Sequence, residues 1–152
     1  MLPPDDDEGF TVPEKLPLYL KGREVFTLTK KIADLIDEED EILTSLKDCM
    51  LLDAAFLTVK VAGAEAADLY DLRMENATLI RKAAQDLLSH CKSLEMFGYK
   101  DVQYLRLLRE AIEEYRFLFV EWVQGFDPWN FVNDRWGLFN PPGVQAQEED
   151  SD

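Results

Sequence analysis

The residues with the greatest chemical reach are few. The chain has one histidine, His90, and two cysteines, Cys49 and Cys91. A metal site inside a helical protein needs carboxylates and a Glu-x-x-His pair on facing helices. Here Leu87 stands three residues before His90, so that pair is missing; Asp86 lies one turn away, within pairing reach, and a satisfied or solvent-facing histidine is expected rather than a ligand. A cysteine nucleophile needs a base within reach. His90 and Cys91 are neighbours in sequence and diverge by about 100° on a helix of 3.6 residues per turn. Cys91 also falls on an apolar seam, so both thiols are expected to pack as small hydrophobes. Glu110, Glu113, Glu114 and Glu121 lie three or four residues from Arg106, Arg109 or Arg116, the pattern of an ion-paired helix face rather than of acid–base catalysis. No Gly-rich phosphate loop, zinc spacing or nucleophile elbow is present. Asn76-Ala77-Thr78 matches a glycosylation sequon, which a cytoplasmic chain would not use. These residues give no catalytic site, no cofactor and no metal.

One stretch stands apart. FDPWNFVNDRWGLFNPPGV carries Phe126, Trp129, Phe131, Trp136, Leu138 and Phe139 among turn-forming Gly, Pro, Asn and Asp, without helical spacing. So many large rings are out of place in a disordered tail. An ordered aromatic extension over 125–143 is expected to pack on its own protein or on a partner. These six are the candidate partner-binding residues, because aromatic side chains dominate interface hot spots.

The elements that must position this stretch are helices. Val102–Val123 shows Leu105, Leu108, Ile112, Tyr115, Phe119 and Trp122 at spacings of three and four, the seam of a packed helix. A first helix opens at Pro17 and carries Leu18, Val25, Leu28, Ile32 and Leu35, widened by Phe26 and Ile36; Gly22 weakens it. It is expected to end near Asp37, where five acids run to Glu41, a charge suited to the start of a second helix. That helix, from about Asp40 to Asp68, has the seam Leu43, Leu46, Met50, Ala54, Leu57, Val61, Ala64. Leu51, Leu52, Ala55, Phe56 and Val59 extend it over more than half the circumference. It is therefore expected to be the most buried helix, or to face a neighbouring subunit. Leu69–Arg73 reads as a short loop or as a kink in a continuing helix. A third helix, established by Glu75, carries Ala77, Ile80, Ala84, Leu87, Cys91 and Leu94, and Gly98 suits its C-terminal turn. Asp101 suits the start of the fourth helix. The short connection makes the last two helices antiparallel neighbours. The expected fold is an all-α, antiparallel up-down four-helix bundle over 17–124. A flexible acidic arm, 1–16, precedes it, and a disordered acidic tail, 144–152, follows the aromatic extension.

The net charge of −15 is concentrated at the ends: −4 on residues 1–16 and −5 on 124–152, which leaves −6 on a body of mixed charge. Repulsion from phosphate argues against direct nucleic-acid binding, and the bases of the first three helices are dispersed. No run is long and apolar enough to span a membrane, the N-terminus has no signal-peptide core, and the two cysteines form no framework. A cytoplasmic protein is expected.

The order of these features resembles the small four-helix-bundle proteins encoded in ribosomal-RNA intervening sequences, a group that includes the accessory variability determinants of diversity-generating retroelements. The resemblance covers about 18–123. It lies in LPLYLKGREVFTLTKKIADLI, in the Ala62-Gly63-Ala64-Glu65 junction, and in ATLIRKAAQDLLSHCKSLEMFGY with its Phe97-Gly98-Tyr99 turn. It implies an up-down bundle without catalytic residues, assembled as a homo-oligomer, often a ring-like pentamer. The retroelement proteins bind a reverse transcriptase and nucleic acid through basic surfaces, where this chain has an acidic body. The leading expectation is a non-enzymatic, self-associating interaction or scaffold protein. The second is an accessory factor for a nucleic-acid enzyme such as a retroelement reverse transcriptase.

Overall fold

A computed structural model describes residues 13–148. The expected acidic arm at 1–12 and the end of the acidic tail at 149–152 lie outside the described residues. After one 3-10 turn at Pro13–Lys15 come four helices: α1 (Pro17–Asp34), α2 (Glu41–Ala67), α3 (Tyr70–Met96) and α4 (Val102–Gln124). No strand occurs among the described residues, and no helix among them is long and apolar enough to cross a membrane. Helix α1 lies beside α2 and α4, and α3 beside the same two, so consecutive antiparallel helices close a square in up-down order. The α2–α3 contact is the most extensive and the α3–α4 contact the least.

The helix ends follow local chemistry. Pro17 sits in the first turn of α1, where a missing N–H costs nothing. The helix stops at Asp34, three residues before the expected end, and Leu35 becomes its exposed C-cap while Ile36 still enters the core. The acidic run divides: Asp37 accepts from the Glu39 N–H in a turn, and the Asp40 carboxylate accepts from the Leu43 N–H at 3.0 Å as the N-cap of α2. Only two residues join α2 to α3. Asp68 takes the left-handed conformation with φ 53°, which Asp tolerates better than most side chains. Helix α3 then starts at Tyr70, so the short loop is Asp68–Leu69 and Tyr70–Arg73 already belong to the helix. At its other end, the Tyr99 N–H donates to the Leu94 carbonyl and the Gly98 N–H to Glu95, with Gly98 at φ 93°. This is a Schellman closure, with Tyr99 and Leu94 both in the core. Asp101 is the N-cap of α4 by position but makes no side-chain hydrogen bond there, so it contributes only its charge.

The four seams meet as a single core that includes Val25, Ile32, Met50, Leu57, Ile80, Leu87, Leu94, Leu105, Leu108 and Tyr115. On α3 the buried small residue is Ala83, and Ala84 lies at the edge. Two phenols tie the core to the backbone. Tyr99 donates to the Ile32 carbonyl at 3.2 Å, and Tyr115 donates to the Leu57 carbonyl at 2.7 Å, across the diagonal from α4 to α2. Burial pushes the Tyr99 hydroxyl up to about 12 and that of Tyr115 far above its ordinary value, so both remain donors. Gly22 meets the same Leu57 carbonyl from α1: a Cβ there would stand 2.8 Å from the oxygen and 3.0 Å from the Thr58 methyl. Its role is close helix approach, which the propensity reading missed.

Gly22→Ala should therefore destabilise the protein, by about 1–3 kcal/mol from overpacking, although alanine favours an isolated helix by about 1 kcal/mol. Urea denaturation reads the sign: a raised midpoint would show that α1 does not depend on this approach.

Candidate interaction surface

Of the groups with chemical reach, Cys91 and His90 are packed between helices, whereas Cys49, expected to pack as a small hydrophobe, is not. Cys91 is buried in the core, and burial pushes its thiol up to about 11, away from nucleophilic thiolate. Cys49 is exposed on α2. His90 does not pair with Asp86, which binds Lys82 at 2.7 Å. Its neighbour is Asp53 on α2, with Nδ1 3.4 Å from the carboxylate and both side chains partly buried. Burial raises the Asp53 carboxyl above its ordinary value, and the imidazole opposes that rise. No group of three or more His, Cys, Asp or Glu among the described residues is arranged to hold a metal.

The acids of α4 serve the fold differently from their spacing. Glu113 pairs with Arg116 within the helix at 2.7 Å. Glu114 instead reaches Lys21 on α1, and Arg109 reaches Glu95 on α3. Lys21, Lys30, Arg73, Lys82, Arg109 and Arg116 all face carboxylates. Between α3 and α4, where contact is least, a groove of about 280 Å³ is walled by Ile80, Ala84, Leu88, Ile112, Phe119 and Val120.

Residues 125–143 run without helix from the end of α4, and the structure separates the six aromatic-extension candidates. Phe126 is buried: it meets the Trp122 ring edge-on at 4.8 Å, with the Arg73 guanidinium 5.5 Å from its centre. Trp122 in turn donates its indole N–H to Glu65 at 2.7 Å, which links α4 to α2. Asn130 fastens the segment to the α2–α3 corner. Its carbonyl accepts from the Tyr70 N–H at 2.8 Å, one of the orphan donors at the start of α3, and its side-chain amide donates to the Asp68 carbonyl. Phe131 is half-buried and stacks edge-on with Trp129. Beyond it, the Asp134 carboxylate accepts from the N–H groups of Trp136, Leu138 and Phe139, all at 2.9 Å, which holds its pKa below the ordinary value. This turn half-buries Phe139 and displays Leu138 and Trp136, the latter 90% exposed; Trp129 is 65% exposed. Residues 144–148, placed with the tail by composition, hydrogen bond back to Asn133 through Gln145 and Gln147.

An exposed apolar row outside the extension lies on α2. Its inward face is Met50, Ala54, Leu57, Val61 and Ala64. Its outward face carries Ile42, Leu52 and Val59 at 53, 62 and 59% exposure, together with exposed Cys49 and half-buried Phe56. The sequence showed the apolar excess of α2 but not which part remains in solvent. That became visible only once α1 and α3 were placed on either side.

Two outcomes follow. Asn130→Ala should speed proteolysis within 127–140 severalfold, measured by mass spectrometry of limited digests, while the helical circular dichroism stays unchanged. Asp53→Asn should stabilise the protein at pH 7. A carboxyl whose folded pKa is raised favours the folded state below its unfolded value, near 3.8, and loses that contribution as pH rises through the folded value. The gain from Asn should therefore disappear as pH falls toward 3.8, the ordinary value. A gain that is the same at pH 4 and pH 7 would contradict this origin.

The chain matches no protein-family model, no curated protein and no solved structure.

Proposed function

We propose that this protein is a non-enzymatic, self-associating interaction or scaffold protein. The observation that carries the reading is α2, a helix of 27 residues that is apolar on its inner and its outer face. An exposed row of Leu, Val and Ile beside Phe on one helix is the surface of an interface. The displayed Trp129, Trp136 and Leu138 supply a second apolar surface, on a segment already fastened to the bundle, so little chain entropy is lost when they bind.

Sedimentation of the full chain over a concentration series tests this. The expected result is a species heavier than the 17.5 kDa monomer, growing with concentration. The double variant Trp129→Ala/Trp136→Ala should lower the average mass if the extension contributes to the contact. A parent protein that sediments as a monomer at every concentration up to hundreds of micromolar would remove the reading.

A further inference from the structure

The groove between α3 and α4 has a floor and a rim of different chemistry. The two helices run antiparallel from the Gly98 closure. Ile80 and Arg81 at one end of the groove therefore stand opposite Phe119 and Val120, and Leu88 at the other end stands opposite Ile112. The span from Ile80 to Leu88 is about 12 Å at 1.5 Å per residue. Ala84 lies midway along it, and its single methyl leaves open the space that a longer side chain would fill. Ile80, Ile112 and Tyr115, all buried, form the floor. Tyr115 shows only its ring, because its hydroxyl donates to the Leu57 carbonyl. The floor thus offers a guest only hydrocarbon and ring surface.

Polar groups line the rim. The charged ones are Arg81 on α3 and Glu113 and Arg116 on α4, two bases against one acid. Glu113 and Arg116 satisfy each other at 2.7 Å. Arg81 makes no ion pair or hydrogen bond with the described residues, and neither does Gln85 one turn along the same rim. One end of an apolar groove therefore holds an uncommitted cation, while the one acid of the rim stands toward the other end. The strongest negative charge of the chain lies on its two terminal segments. Exposed charges more than about 8 Å away are largely screened at physiological salt, so the rim decides locally which head group is favoured.

Shape narrows the guest further. An α-helix with its side chains is about 10–12 Å across and too wide to lie in a groove of about 280 Å³. That volume is near the lower end of small-molecule sites, roughly 300–1,000 Å³, and suits one slender chain. We propose that the groove binds a free medium-chain fatty acid. Its carboxylate pairs with the Arg81 guanidinium within reach of Gln85, the planar fork that matches a carboxylate. Its hydrocarbon chain lies over Ala84 toward Leu88 and Ile112, where apolar surface leaves water on both sides of the contact. The reverse direction would bring the carboxylate toward Glu113. The proposal goes beyond the self-association reading and uses neither the outer face of α2 nor the extension.

Decanoate, decanol and decyltrimethylammonium share one chain and differ in the head group. Each is titrated into the full protein below its micelle concentration and followed by calorimetry and by NMR of the methyl groups. Decanoate should bind at one site per chain and shift the methyls of Ala84, Ile112 and Val120. Decanol should bind more weakly, and the ammonium most weakly of the three. Arg81→Gln should weaken decanoate roughly fivefold, the order of one exposed ion pair, and leave decanol unchanged. Ala84→Leu should remove both with unchanged circular dichroism; Arg81→Gln, at an exposed position, tests the proposal even where Ala84→Leu disturbs the fold. Absence of decanoate binding up to millimolar concentration would overturn the proposal. So would equal affinity for the three head groups, decanoate binding indifferent to Arg81→Gln, or shifts confined to α2 or to the extension.

Discussion

The carbonyl oxygen of Leu57 is the point on which three helices depend. It belongs to α2, accepts the Tyr115 hydroxyl of α4 at 2.7 Å, and is approached by the Cα of Gly22 on α1 so closely that no Cβ fits. The phenol is long enough to cross the diagonal of the bundle, and burial keeps it protonated as a donor. The glycine lets α1 settle against the backbone of α2 rather than against side chains. Together they fix the distance of α1 from α2 and the register of α4 across both. With α1 on one side, α3 on the other and α4 on the diagonal, one face of α2 is left without a neighbour. The exposure of Leu52 and Val59 therefore follows from the way the core is locked.

The opposite kind of control operates at the α2–α3 corner, where polar groups do the positioning. Trp122 donates to Glu65, Arg73 pairs with Asp68 at 3.2 Å and covers the Phe126 ring, and Asn130 satisfies backbone groups on both sides of the corner. A corner of two residues leaves the N–H groups of α3 without intrahelical partners, and the returning chain supplies one acceptor. The extension is in this sense part of the helix cap. Its anchoring end is buried and its far end is held open by the Asp134 turn, so the outer tryptophan is displayed by a hydrogen-bonded loop. Anchoring Phe126 and exposing Trp136 are two results of one set of contacts.

What could be read from the sequence followed from features internal to one helix. The seams of α1 to α4 and the Gly98 closure need only the spacing within a segment and the chemistry of its ends, and they are found where they were expected except that Leu35 is exposed and Ala83 rather than Ala84 is buried. What could not be read depends on how one helix is rotated against another. Asp53 is the partner of His90 because α2 lies beside that edge of α3, whereas sequence proximity pointed to Asp86. Arg109 has glutamates nearby on its own helix and still meets Glu95 across the α3–α4 turn. Gly22 looked like a defect in a helix because its partner, a backbone carbonyl 35 positions away, carries no signal in side-chain identity. The six aromatic-extension residues were grouped by composition, and only the hydrogen bonds of Asp127, Asn130 and Asp134 divide the anchored from the displayed.

Charge and apolar surface pull against each other in this chain. A net charge of −15 on 152 residues keeps copies apart at long range, and two acidic ends intensify that repulsion. An apolar face such as that of α2 can operate only where the acids are out of the way. From Cys49 to Gly63 the one acid of α2 is Asp53, and the only base on that stretch, Lys60, lies over the Phe56 ring at 5.1 Å. The acids of α2 are Glu41, Asp48, Asp53 and Glu65: Glu41 opens the helix behind the Asp40 cap, and Asp53 and Glu65 meet His90 and Trp122 on the neighbouring helices.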